Sequence, residues 1–115
     1  TLIPTFSHIF HSTATVFKPY PYNTQVEASV NFGEKFQINL PEDLFRDVND
    51  TMLTFQLTLE DDSEIPEWID FDTHKLIISG TWKLQESLKL KLMATDVSGN
   101  SSNFIFEPAL ILEEL

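Results

Sequence analysis

The chain has 115 residues, with 7 Lys+Arg against 18 Asp+Glu, a formal net charge of −11 and a pI near 4.4, which suits a single domain of ordinary size. Hydrophobic residues make up 42% of it, including ten Phe and two Trp, enough apolar area to offset chain entropy and to exclude a disordered chain. Cysteine is absent, which removes a disulfide framework, a thiolate zinc site and a thiol nucleophile, and so acidic a surface would repel the phosphates of nucleic acids and anionic lipids.

Taken from the N-terminus, residues 1–17 carry no Asp, Glu, Lys or Arg, and every formal charge lies from Lys18 onward. Residues 1–19 therefore read as an uncharged arm or linker. Its His8 and His11 are three apart, but a zinc site needs a third or fourth ligand and the one other histidine is His74. The segment Lys18-Pro19-Tyr20-Pro21-Tyr22 disfavours helix and central sheet pairing, as an extended linker or edge strand would. A folded domain is expected over 20–112, with 113–115 beginning a further linker. No apolar run approaches the roughly 20 residues of a membrane-spanning helix, and Thr1 is not followed by a signal-peptide pattern, so the chain reads as a segment of something longer.

Within 20–112 the apolar residues recur at every second position, the period that sends side chains to one face of a strand. Val26, Ala28, Val30 and Phe32 form one such run and Phe36, Ile38 and Leu40 the next. Leu53, Phe55, Leu57 and Leu59 form a third, and Leu88, Leu90, Leu92 and Ala94 a fourth. Gly33, Pro41, Asp47 to Asp50, Asp61 to Pro66, Gly80 and Ser98-Gly99-Asn100 punctuate them. At most Glu42 to Phe45 makes a single turn. Short alternating strands with regular turn signals predict an antiparallel sandwich or barrel.

The acidic loop Asp47-Val48-Asn49-Asp50, with Glu42, Asp43 and the distant Asp96, offers oxygens suited to Ca²⁺. Asp and Asn also fill tight turns with no ion present, so both readings stand. The run Glu60-Asp61-Asp62-Ser63-Glu64 reads as a solvated loop tip with no partner nearby. Asn49-Asp50-Thr51 and Asn100-Ser101-Ser102 are N-glycosylation triplets in predicted loops. No G-x-S-x-G elbow and no phosphate-binding glycine loop occurs, and paired carboxylates need a cleft that a domain this small rarely builds, so the chain reads as a non-enzyme.

Four segments follow in a recognisable order: Gly33-Glu34-Lys35-Phe36-Gln37-Ile38; Leu44-Phe45-Arg46-Asp47-Val48-Asn49-Asp50-Thr51-Met52-Leu53-Thr54-Phe55; Ile65-Pro66-Glu67-Trp68-Ile69-Asp70-Phe71-Asp72 with Leu76-Ile77-Ile78-Ser79-Gly80-Thr81; and Leu90 to Gly99 ending in Ala94-Thr95-Asp96-Val97-Ser98-Gly99. Over about residues 26–107 this resembles the dystroglycan-type cadherin-like domain. The resemblance implies a Greek-key antiparallel β-sandwich of about seven strands. By position it implies calcium ligation at Asp47, Asn49, Asp50 and Asp96 at one pole. The glycine usual in that acidic loop is missing, and the glutamate that cadherins place late in their first strand has no match, so the resemblance implies fewer ligands than a full calcium cluster has. Trp68, Phe71, Phe55 and Phe45 are the expected core aromatics. The implied role is adhesion, spacing or recognition of a protein or glycan, in a larger extracellular or cell-surface protein alongside neighbouring domains. Two other readings stand beside it. The apolar arm could be donated as a strand to build a homo-oligomer or filament, or exposed aromatics, with Trp82 and Tyr22 the candidates, could form a carbohydrate-binding face.

Overall fold

The computed structural model describes residues 17–48 and 52–112. The arm residues 1–16 with His8 and His11, the loop residues Asn49, Asp50 and Thr51, and 113–115 lie outside them. Among the described residues every regular element is a strand: β1 (Tyr20–Pro21), β2 (Ser29–Asn31), β3 (Lys35–Asn39), β4 (Phe45–Arg46), β5 (Thr54–Leu59), β6 (Ile69–Asp72), β7 (Ile77–Thr81), β8 (Leu90–Thr95), β9 (Ser101–Phe106) and β10 (Ala109–Ile111). The alternation did its work where it is cleanest. In β3, Phe36 and Ile38 are buried between exposed Lys35, Gln37 and Asn39, and in β8 Leu90, Leu92 and Ala94 are fully buried.

Two three-stranded antiparallel sheets, β3-β7-β6 and β5-β8-β9, share one hydrophobic core and so form a β-sandwich. The chain passes from the first sheet to the second after β3, returns for the β6–β7 hairpin and crosses again for the β8–β9 hairpin, the mark of a Greek-key connection. The count of ten exceeds the seven expected because four elements are only two or three residues long. β1 pairs with β4, and β2 pairs in parallel with β10. Pro108 explains the parallel pair: lacking an N–H, it ends the β8–β9 ladder after Phe106, and the chain resumes against β2, where the Ala109 amide donates to the Ala28 carbonyl at 2.9 Å. The run Val26 to Phe32 pairs only at 29–31, although Val26 and Ala28 still pack on the core.

The registers fix two poles. Asn39 faces Ile77 and Thr54 faces Thr95, so the loops after β3, before β5, between β6 and β7, and between β8 and β9 gather at the pole where the chain arrives at β1. Lys35 faces Thr81 and Leu59 faces Leu90, so the turns after β2, β5 and β7 gather at the opposite pole, toward which β10 runs. We call these the N-terminal and C-terminal poles.

The core centres on Trp82, which is fully buried. Its ring meets Trp68 edge-on at 5.1 Å and Phe36 at 5.5 Å, and its indole N–H donates to the Glu86 carbonyl at 3.2 Å. The expectation that Trp82 would be an exposed aromatic is therefore corrected: backbone bonds from Gly33 N to Trp82 O (2.7 Å) and from Trp82 N to Glu34 O (3.0 Å) swing it under the β2–β3 turn. Trp68, Phe71 and Phe55 are half-buried partners of the core and Phe45 is buried within it, its ring 6.4 Å from that of Phe55. The Glu60 to Glu64 loop is exposed, but it has partners nearby, contrary to expectation. The β5–β8 register sets Thr58 beside Lys91, and Lys91 and Lys89 pair with Asp62 and Glu60, the latter at 3.8 Å.

Candidate functional site

At the N-terminal pole the β1–β4 ribbon sets Tyr20 opposite Arg46 and Pro21 opposite Phe45. Opposed residues share a face. Phe45 turns inward, and Arg46 and Tyr20 turn out. Tyr22, two residues beyond Tyr20, points to the same side, and its amide donates to the Leu44 carbonyl at 2.6 Å, so pairing with the second strand persists past β1. The Arg46 guanidinium lies 3.5 Å from the centre of the Tyr22 ring, a cation–π contact that ties the two side chains together. Tyr20 and Tyr22 nevertheless remain 42% and 52% exposed.

Beside this face a cavity of about 700 Å³ opens to solvent between Tyr20, Glu42, Asp43, Phe45, Arg46, Asp47, Val48 and Leu53. Phe45, Val48 and Leu53 give it an apolar side, and Glu42, Asp43 and Asp47 an acidic rim. Asp43 is set in place by Asn23, whose side-chain amide donates to it at 2.9 Å and whose backbone amide donates to its carbonyl at 3.1 Å. A smaller depression of about 470 Å³ lies on the β3-β7-β6 sheet, lined by Lys35, Gln37, Asp70, Ser79 and Thr81 around Gly80.

Asp96 begins the β8–β9 turn at this same pole. It is 9% exposed, and its carboxylate accepts from the Ser98 and Asn100 amides, each at 2.9 Å, and from the Asn100 side chain at 3.4 Å. The Gly99 amide completes the turn onto the Asp96 carbonyl at 3.1 Å. Asp96 is thus turned into its own hairpin. Asp47 stands in the acidic cavity, and Asn49 and Asp50 lie outside the described residues. Among the described residues no group of three or more His, Asp or Glu is arranged to hold a metal. As for the glycosylation triplets, Asn49 is outside the description, and the half-buried Asn100 directs its amide at Asp96.

Two other carboxylates work as turn clips. Asp72 accepts from the Lys75 and His74 amides at 3.0 and 2.9 Å, and these bonds hold its carboxyl below the usual carboxylate range. Asp61 is held low by the hydroxyl and the amide of Ser63.

Sequence reasoning singled out Tyr22 and Asp47 but not Tyr20 or Arg46 as their companions. The signal available was the Pro-Tyr-Pro-Tyr spacing, which displays two rings on one side of an extended chain; nothing local points to Arg46.

Set against known proteins, the family described as “Putative Ig domain” matches residues 14–109. No curated protein matches the chain. Among solved structures, a “putative alpha-galactosidase” from Bacteroides fragilis NCTC 9343 is similar in fold, with 16% identity and a TM-score of 0.57, over 86% of this chain and 19% of that one. A Bacteroides ovatus mixed-linkage glucan utilization locus protein, SGBP-B, determined with a mixed-linkage heptasaccharide, aligns at 18% identity and a TM-score of 0.43, over 89% of this chain and 24% of that one. The chain thus spans only about a fifth to a quarter of the length of these two. With the family match running through nearly all of the two-sheet sandwich, the chain belongs to the “Putative Ig domain” family and is an immunoglobulin-like β-sandwich.

Proposed function

We propose that this immunoglobulin-like domain is a non-catalytic module of a larger secreted or cell-surface protein, and that it recognises a protein or glycan through its N-terminal pole while its sandwich serves as a rigid spacer. The observation that carries the reading is the outward Tyr20, Tyr22 and Arg46 face beside an open cavity, built on a ribbon that the core holds through Phe45. Exposed tyrosines and an arginine are the side chains most used at recognition surfaces, because they give large contact area at low cost in conformational freedom. The spacer role is supported by the opposite poles at which β1 begins and toward which β10 runs, the geometry that lets domains follow one another in a row. A segment of this fold forming about a fifth of a larger Bacteroides chain fits the same modular use. The order of the four cadherin-like segments supports the finer assignment to the dystroglycan-type group and, with it, an adhesive role.

The test is solid-phase binding of the domain to immobilised extracellular proteins and matrix or cell-wall polysaccharides, beside the double variant Tyr22→Ala/Arg46→Ala. At least one binder is expected that the double variant loses and Phe32→Ala, at the C-terminal pole, keeps. Binding that the double variant retains would place recognition elsewhere on the domain.

A further inference from the structure

We infer that the ligand of this face is an uncharged oligosaccharide, stacked on Tyr20 and Tyr22 with its hydroxyls meeting Arg46 and the acidic rim. The inference rests on the recognition reading above and narrows it to a ligand class.

Tyr20 and Tyr22 are two residues apart on extended chain, so their ring stems stand about 6.6 Å apart on one side. They form a short row of amphipathic surfaces. A pyranose has the matching character, with an apolar C–H face and hydroxyls around its edge. The guanidinium stacked on Tyr22 keeps the N–H edge of its plane for sugar oxygens, which an ammonium at that position would not present.

The acidic rim chooses between ligand classes. Glu42 and Asp43 border the cavity, and Arg46 is the one cation among its lining residues, in a chain of net charge −11. Uronates, sulfated sugars and sialylated glycans would be repelled. A proline-rich peptide could stack on the rings, but proline has no N–H, so covering the rim would desolvate the exposed Glu42 carboxylate without giving it a donor. A neutral sugar brings several hydroxyl donors to that carboxylate. The chemistry of both halves of the site is then satisfied by one ligand.

The experiment is isothermal titration of the whole domain with neutral gluco-, galacto-, manno- and xylo-hexasaccharides, an oligogalacturonate of the same length and a polyproline decamer. Tyr22→Ala and Phe32→Ala are titrated alongside. At least one neutral hexasaccharide should bind, Tyr22→Ala should weaken it roughly tenfold or more, and Phe32→Ala should leave it nearly unchanged, with melting temperatures preserved throughout. The inference is overturned if no neutral hexasaccharide binds at millimolar concentration, if Tyr22→Ala has no effect, or if oligogalacturonate or polyproline binds more tightly. Tyr22-dependent binding to an immobilised protein in the absence of any sugar binding would sink the sugar and leave the recognition surface standing.

Discussion

Gly80 sits opposite Ile69 in the β6–β7 ladder with φ near 150°, and a Cβ placed there would lie far inside van der Waals contact distance of the Trp68 carbonyl oxygen. The obstacle is backbone, which cannot swing aside as a side-chain tip could. Gly80→Ala should therefore destabilise the domain by at least the roughly 1–3 kcal/mol of an overpacked core, seen as a lower midpoint in urea unfolding. Asp96 makes a different kind of contribution. Three donors in its own turn converge on a nearly buried carboxylate, so Asp96→Ala should cost about 1–3 kcal/mol, or a fall of at least ~4 °C in Tm for a domain this size. The loss should be the same in calcium and in chelator, because the bonds described are made to protein; a loss seen only with calcium would assign the carboxylate to an ion instead. Trp82 shows what a single residue conceals from sequence reading. It follows Thr81 and precedes Lys83 in no alternating run, and its burial depends on backbone bonds to Gly33 and Glu34 that spacing does not reveal.

Among the elements, β3, β5 and β8 were legible because each alternates over at least five residues and has one face in the core. β4 and β10 were not. Two or three residues carry no period, and β10 exists because Pro108 breaks one ladder and frees the chain to join another. The site was half legible for the same reason: the tyrosine spacing is local, but the partnership of Tyr20 with Arg46 belongs to the register of a two-residue ribbon. The β6–β7 loop yields a pH prediction. Asp72 accepts two amides there, and Leu76 closes the loop in a left-handed conformation at φ 57° with its side chain buried. Because the folded-state pKa of Asp72 lies below its ordinary 3.8, its charge stabilises the fold above that value, and the contribution is lost as pH falls through the lowered one. Asp72→Asn should therefore lower Tm at pH 6, and the gap from the parent should close as pH is brought below that range. A gap that stayed constant with pH would contradict a role for the charge.

For the whole molecule the net charge of −11 sets the background. The exposed Lys89–Glu60 pair at the β5–β8 edge contributes little, while repulsion among eighteen carboxylates acts across the surface. Adding salt shortens the screening length from about 30 Å at 0.01 M to about 8 Å at 0.15 M, so Tm at pH 7 should rise with sodium chloride; a fall would mean that attractive pairs outweigh the repulsion. The same field keeps anionic partners away and leaves the Tyr20, Tyr22 and Arg46 face as the aromatic, hydrogen-bonding surface of the N-terminal pole. Backbone-amide NMR during titration with the ligand found by the binding assays tests that claim most directly. The shifts should concentrate at residues 20–23 and 42–48 and spare 31–35 and 109–112, whereas shifts centred on the C-terminal pole would contradict the account.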